Sequence, residues 1–208
     1  MNMRRTLACG AAAAGITCLI AAGWIHMKAF AAQQLIEAAW QRARDGADGA
    51  RPWSWADTTP IARLTINGQS FFVLEGASGR NLAFGPAHDA ASVLPGEVGN
   101  SLIEAHRDTH FEVLSKVRLG DRVRVERVDG RAYEFIVTDR RVADSRKQRI
   151  ALEAHSPRLT LVTCYPFDAI EPGGPLRFVV TADFIAGAGN SPPQRVAQAA
   201  ASPATRMR

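Results

Sequence analysis

The sequence predicts a mainly β protein: a closed antiparallel β-barrel with short helices, preceded by an N-terminal transmembrane helix. Three observations support this. The chain opens with an uncharged apolar run, a helical period follows, and from about residue 60 apolar and polar residues alternate between turn dipeptides. With 208 residues, 47% hydrophobic and 22% charged, the chain can form one folded domain plus additional segments.

Charge and cysteine content exclude several classes of protein. The net charge of +5 is spread along the chain without a basic-aromatic motif, so no nucleic-acid partner is expected. Three cysteines are too few for a disulfide scaffold or a four-cysteine zinc site.

The N-terminus predicts where the chain resides. Residues 1–5 carry Arg4 and Arg5, and Leu7 to Ile25 then runs 19 residues without a charge, just enough to cross a bilayer. We therefore expect residues 6–28 to be a signal anchor, with residues 1–5 cytoplasmic and the remainder exported. The alternative is a cleaved signal peptide, since Ala29-Phe30-Ala31 resembles a cleavage site. Either way, Cys164 is the one cysteine of the exported part.

Residues 29–52 are predicted to be a stalk helix and a linker. Apolar residues recur at helical spacing up to Arg44, and two glycines and Pro52 then break the pattern. Residues 53–186 form the predicted catalytic domain. Residues 187–208, rich in Ala, Pro and Ser, are predicted to be a disordered tail.

The barrel prediction rests on many short strands separated by turn signals. Asn67-Gly68 and Asp129-Gly130 are typical of tight hairpin turns between strands. The predicted strands are 62–66, 70–74, 101–106, 122–128, 132–138, 158–164 and a last strand that begins near Leu176.

Three residues are candidates for chemistry. Cys164 ends a strand that Pro166 stops, so its thiol should lie at a strand tip. A thiol nucleophile needs its thiolate form, which the imidazolium of His106 would stabilise. Arg177 faces away from the apolar side of its strand, and its guanidinium could stabilise an oxyanion. From these residue types alone, a buried cysteine, a hydrogen-bonded histidine and a surface arginine are the more common explanation.

The sequence motifs around these residues resemble those of the sortase family. Thr160-Leu-Val-Thr-Cys164 is similar to the sortase active-site signature, and the segments around His106 and Arg177 are similar to its histidine and arginine segments. The Gram-negative, class GN sortases have the most similar strings: Trp55-Ala-Asp, Leu74-Glu-Gly-Ala-Ser-Gly, His106-Arg-Asp-Thr-His-Phe111 and Thr163-Cys-Tyr-Pro-Phe167.

This resemblance implies a sortase barrel and cysteine transpeptidation, without a cofactor or metal. Cys164 would attack the threonine carbonyl of an LPxTG-like sorting signal at the C-terminus of an exported protein. His106 would transfer protons, Arg177 would hold the oxyanion, and Thr163 would help to orient the substrate. An amine acceptor, not identified by the sequence, would resolve the thioester. The enzyme would lie in the inner membrane with its catalytic domain on the periplasmic side.

Four residues depart from the family pattern: Ala87 and Asp89 around His88, and Ala105 and Glu104 before His106, where Gly usually precedes the histidine. Ala105 adds a methyl group that could intrude on the substrate, and Glu104 stands where an apolar residue is usual. If residues 101–106 are one strand, Glu104 and His106 share a face, and the carboxylate favours the imidazolium. The alternative is that Glu104 turns to solvent or pairs with an arginine.

Three rival functions remain open. A zinc hydrolase would use His106, His110 and His88, although Arg107 occupies the position of the glutamate in H-E-x-x-H. A cysteine hydrolase on the same barrel would release its target to water. A non-catalytic barrel would only bind peptides.

Overall fold

A computed structural model describes residues 3–169, 171 and 173–188, and it contains an eight-stranded closed barrel. Around the barrel the strands follow the order β1-β2-β3-β4-β7-β8-β6-β5. The helices are α1 (Met3–Arg44), α2 (Gly79–Leu82) and a 3-10 helix (His110–Lys116). The strands are β1 (Pro60–Ile66), β2 (Gln69–Glu75), β3 (Ala87–His88), β4 (Gly99–Glu104), β5 (Arg122–Arg127), β6 (Ala132–Asp144), β7 (Pro157–Cys164) and β8 (Leu176–Ala188).

The two predicted hairpins are confirmed. β1 pairs with β2 and β5 pairs with β6, in both cases antiparallel. In the first turn Asn67 and Gly68 have φ angles of 48° and 76°. Positive φ at both central positions matches the right-handed twist of the flanking strands, which explains why Asn-Gly is the local signal for this turn.

The prediction of a purely antiparallel barrel is wrong, because two of its pairings are parallel. β2 runs parallel to β3, and β4 runs parallel to β7. Parallel neighbours need a long connection that brings the chain back in the same direction. The α2 segment supplies this connection between β2 and β3, and the 3-10 helix with the β5–β6 hairpin supplies it between β4 and β7.

Two of the three apolar clusters of the described residues lie on opposite faces of the sheet formed by β4, β7, β8 and β6. The barrel interior holds the principal cluster, which includes Phe111, Phe135, Leu159 and Leu161. The outer face carries a smaller apolar cluster: Leu102, Ala143, Val162 and Val179, covered by Ile150 and Leu152 of the β6–β7 connection. This outer-face cluster extends toward the strand ends where the candidate site lies.

Helix α1 reaches Arg44 as predicted, but its last turns are not a free stalk. Ile36 and Trp40 are each 1% exposed and lie against the barrel, with Trp40 packed on Phe72 at a ring distance of 5.8 Å. Arg44 forms an ion pair with Glu126 of β5. The helix docks because its apolar stripe finds an apolar surface on β2, where burial is favourable.

The N-terminal helix and the C-terminal end of the barrel bear on the predicted domain boundaries. Among the residues the structure describes, no helix is long and apolar enough to span a membrane. β8 continues through Gly187 and Ala188, two residues beyond the predicted end of the domain. The rest of the predicted disordered tail, 189–208, lies outside the described residues.

Removing the docked aromatic ring should destabilise the fold. Trp40→Ala should lower the free energy of unfolding by about 3–5 kcal/mol, since it deletes a fully buried ring. Leu35→Ala on the same helix, where the side chain is 44% exposed, should cost less than about 0.5 kcal/mol. Urea unfolding followed by circular dichroism measures both. Equal losses in the two variants would mean that α1 does not dock through Trp40.

Candidate active site

The parallel pairing of β4 with β7 brings the predicted histidine segment beside the predicted cysteine. Glu104, the last residue of β4, is in register with Val162 of β7. One residue further, the Thr163 hydroxyl donates a hydrogen bond of 2.7 Å to the Ala105 carbonyl, 58 residues away in the sequence. Residues 105 and 106 follow directly on β4, so His106 lies just beyond the strand end that neighbours the end of β7, where Cys164 lies. The parallel pairing thus brings the two segments to neighbouring strand ends.

Cys164 and Arg177 are direct register partners across β7 and β8. Cys164 is the last residue of β7 and is partly exposed, as predicted for a strand tip. The principal core contains Phe178 and Val180, whereas Val179 belongs to the outer-face cluster. Because side chains alternate along a strand, Arg177 shares the outer face with Cys164.

Thr163 and Ala105 lie on the opposite, inner face of the same strands. Thr163 is 2% exposed and Ala105 is 6% exposed, with Ala105 in the principal core. The methyl group of Ala105 is thus directed away from the face that carries Cys164, so it does not narrow the space in front of the thiol. The Thr163 hydroxyl is occupied by the Ala105 carbonyl, and a direct contact with substrate stays a prediction.

His106 lies just beyond β4 and is exposed. Its carbonyl accepts a hydrogen bond of 3.0 Å from the amide of Phe111, a fully buried core residue, so the chain turns immediately after the histidine. Burial and the nearby His106 lower the pKa of His110, whose ring stands edge-on to Phe71. His110 is therefore the half-buried imidazole of the pair, and His106 is the exposed one.

Glu104 does not share a strand with His106, which corrects the sequence-based expectation. β4 ends at Glu104, and the His106 carbonyl accepts from the Phe111 amide, so residues 105 and 106 lie beyond the strand where the chain begins to turn. Burial, and then the negative charge of Asp89, raise the pKa of Glu104, while the positive charge of Arg177 lowers it. The charged neighbours of this carboxyl are thus Asp89 and Arg177, and direct pairing with the arginine stays a prediction.

The guanidinium of Arg177 is held by its own loop. Nη1 donates hydrogen bonds to the carbonyls of Gly174 at 2.8 Å and Leu176 at 2.9 Å. The amide of Tyr165 donates to the Leu176 carbonyl at 3.0 Å, closing the start and end of the β7–β8 connection. This holds Cys164 and Arg177 at the mouth of one loop.

Two polar residues organise the site, although the sequence reasoning gave them no role. Asn100 donates from its backbone and its side chain to Leu152 and Ala151, and it accepts from Thr160, which fastens the β6–β7 connection over the outer-face cluster. Arg107 is only 5% exposed and donates from Nη2 to two carbonyls of the β7–β8 connection. Both stand within segments of the family resemblance, which was the available signal.

The zinc interpretation gains no support from the side-chain positions. Among the described residues, no three His, Cys, Asp or Glu side chains are placed to share a metal ion. His88 is buried, with Nε2 lying 2.9 Å from the Val93 carbonyl oxygen and 3.0 Å from the Ser92 hydroxyl, so it holds the β3–β4 loop.

The described arrangement fits nucleophilic chemistry at a carbonyl. It combines a partly exposed thiol, an exposed imidazole on the adjacent strand end and a guanidinium on the other adjacent strand. An imidazole can hold or transfer a proton beside a thiol, and a fixed guanidinium can stabilise a developing oxyanion.

Comparisons with known proteins point to one family. A family model described as a sortase domain matches residues 64–185. A curated relative, sortase D of Bacillus subtilis (strain 168), is 30% identical over 108 residues, which cover 52% of this chain and 54% of the relative. The chain thus spans about half the length of the curated relative that it matches.

Solved structures of other sortases share the fold. Sortase A from Corynebacterium diphtheriae superposes with a TM-score of 0.56 at 19% identity, covering 74% of this chain and 84% of that chain. The Clostridium perfringens sortase D5 transpeptidase gives 0.54 at 20% identity, covering 72% and 89%. Streptococcus agalactiae sortase C1 gives 0.55 at 22% identity, covering 76% and 89%.

Neutralising Glu104 should stabilise the protein in a pH-dependent way. Because the pKa of Glu104 is raised in the folded chain, ionising this group at pH 7 costs more in the folded state than in the unfolded state. Glu104→Gln should therefore melt about 1–3 °C above the native chain at pH 7.

The gain should vanish below about pH 4, where the carboxyl is protonated in both states. Glu112→Gln, at an exposed glutamate of the 3-10 helix, is the matched control and should melt with the native chain. Thermal unfolding across pH measures the difference. A Glu104→Gln melting temperature at or below the native value at pH 7 would contradict the assignment.

Proposed function

The chain belongs to the sortase family, and we propose that it is a membrane-anchored cysteine transpeptidase that cleaves an LPxTG-like sorting signal. The observation that carries the proposal is the position of three groups at adjacent strand ends. Cys164 lies opposite Arg177, and His106 directly follows β4, which pairs with the strand of Cys164. These are also the three residues that the family resemblance assigns to the reaction.

In the proposed reaction Cys164 forms a thioester with the substrate. The thiolate Sγ attacks the threonine carbonyl carbon, and the oxyanion is stabilised by Arg177. The threonine–glycine C–N bond then breaks, and His106 donates its proton to the leaving amine. An incoming amine loses a proton to His106, attacks the thioester carbonyl and expels the Cys164 thiolate, so that one amide replaces another.

The cover of the outer-face cluster supports binding of an apolar peptide on the face that carries the thiol. Ile150 and Leu152 of the β6–β7 connection pack over the buried Val162 and Val179 and keep part of their own apolar surface exposed. An apolar surface that excludes water favours attack on a thioester by an amine over hydrolysis. We propose that the leucine and proline of the sorting signal bind along this side.

We also propose a subgroup and a location. The strings around His106 and Cys164 resemble those of the class GN sortases, which supports this subgroup. The uncharged run from Leu7 to Ile25, flanked by Arg4 and Arg5, supports an inner-membrane anchor with the catalytic domain in the periplasm. The partner is then an exported protein with a C-terminal sorting signal.

An assay on the purified full chain tests the proposal. A peptide carrying Leu-Pro-x-Thr-Gly is incubated with and without an added amine such as glycine amide, and products are identified by mass spectrometry. A transpeptidase yields the new amide and a thioester adduct on the intact protein. Free acid that persists at high amine would instead indicate a hydrolase, and the absence of any adduct would indicate a binding protein.

Replacing the nucleophile should abolish turnover and leave the fold intact. Cys164→Ala should form no adduct and no product, because the alanine side chain cannot form a thioester. Cys18→Ala, at the exposed cysteine of α1, is the control and should retain full activity. Measurable cleavage by Cys164→Ala would rule out the mechanism.

The shape of the Arg177 side chain should matter beyond its charge. Arg177→Lys should lower kcat/KM by about 10²-fold or more, since an ammonium cannot reproduce the planar set of donors. Arg158→Lys on β7, where Arg158 pairs with Asp183 at 2.8 Å, should leave activity within about twofold. Near-native turnover of Arg177→Lys would assign Arg177 a structural role.

A further inference from the structure

A buried arginine connects the histidine segment to the β7–β8 connection, the loop between Cys164 and Arg177. Arg107 directly follows His106, and its side chain is 5% exposed. Nη2 donates to the carbonyls of Ala169 at 2.8 Å and Glu171 at 3.0 Å, which are 62 and 64 residues away in the sequence. Both acceptors lie in the β7–β8 connection, between Cys164 and Arg177.

The same connection holds the Arg177 guanidinium through the Gly174 carbonyl. Arg107 therefore holds residues 169 and 171 of this loop, and the Gly174 carbonyl of the same loop holds Arg177. A charged donor that bonds two backbone carbonyls in a buried setting is a strong restraint, since breaking it leaves a buried charge and two acceptors without partners. Nε lies 3.6 Å from the exposed Asp108 carboxylate.

We propose that Arg107 is a positioning residue for the transpeptidase reaction: its guanidinium sets the distance between His106 and the Cys164–Arg177 pair by clamping the β7–β8 connection. It acts on the reaction through its neighbours and touches no reacting atom. The inference rests on the proposed function for its role in turnover, but the positioning itself is measurable without any substrate.

The reactivity of the Cys164 thiol reports on this geometry. A nearby imidazolium stabilises the thiolate, so the rate of alkylation by iodoacetamide depends on where His106 stands. The test uses the full chain with Cys9→Ala and Cys18→Ala, so that Cys164 is its one thiol. Alkylation at pH 7 is compared with and without His106→Ala, first with Arg107 present and then with Arg107→Met.

With Arg107 present, His106→Ala should slow alkylation about tenfold. With Arg107→Met, the same change should slow it by less than about twofold, because the imidazole is no longer held beside the thiol. Arg107→Lys keeps the charge but offers a different donor geometry, and it should give an intermediate ratio. Arg127→Met, at a mostly buried arginine paired with Glu97 and Asp129, is the matched control and should keep the tenfold ratio.

A purely structural Arg107 would lower the melting temperature of Arg107→Met and leave the alkylation ratio unchanged, and that result overturns the proposal. If Arg107→Met does not fold, as judged by circular dichroism, the ratio in Arg107→Lys decides: a native ratio overturns the proposal and a reduced one supports it. Failure of the peptide assay would overturn the transpeptidase proposal alone, since the alkylation ratio requires no substrate.

Discussion

The parallel pairing of β4 with β7 is the constraint on which the site depends. It fixes a single offset between two segments that are far apart in the sequence, and it brings the strand end before His106 next to the strand end that carries Cys164. The antiparallel pairing of β7 with β8 then sets Arg177 opposite the thiol. A slip of one residue in either pairing would turn the side chains of the shifted strand to the other face and dismantle the site.

The polar groups around the site are arranged so that each strand end is tied to its neighbour. Thr163 holds the backbone before His106, and Phe111 holds the backbone of His106 itself. The reacting side chains are left comparatively exposed, while buried groups carry the restraints. Glu104 is the exception, since its carboxyl is half-buried beside Asp89 and is costly to ionise there. An unfavourable ionisation of this kind is typical of functional sites, where charged groups are arranged at a cost in stability.

Local signals predicted the hairpins, and long-range geometry had to come from the structure. Asn67-Gly68 encodes its turn directly, because few residues accept positive φ. The parallel pairings follow from crossovers that no short window of sequence contains. The resemblance to family motifs singled out Cys164, His106 and Arg177 as candidates. Arg107, in contrast, has the sequence signature of a surface charge, and its burial becomes visible only from two carbonyls more than 60 residues away.

Because the C-terminal end of α1 is docked, the helix and the barrel are held in one relative orientation. Met3–Arg44 is one continuous helix of 42 residues, about 60 Å long at the usual rise per residue. Because Ile36 and Trp40 are packed against the barrel, the barrel cannot pivot freely at this joint. Whatever holds the far end of the helix therefore also sets the direction in which the Cys164 face of the barrel points. A flexible tether would let that face point in any direction, whereas this packed joint restricts it to a narrow range of orientations relative to the helix axis.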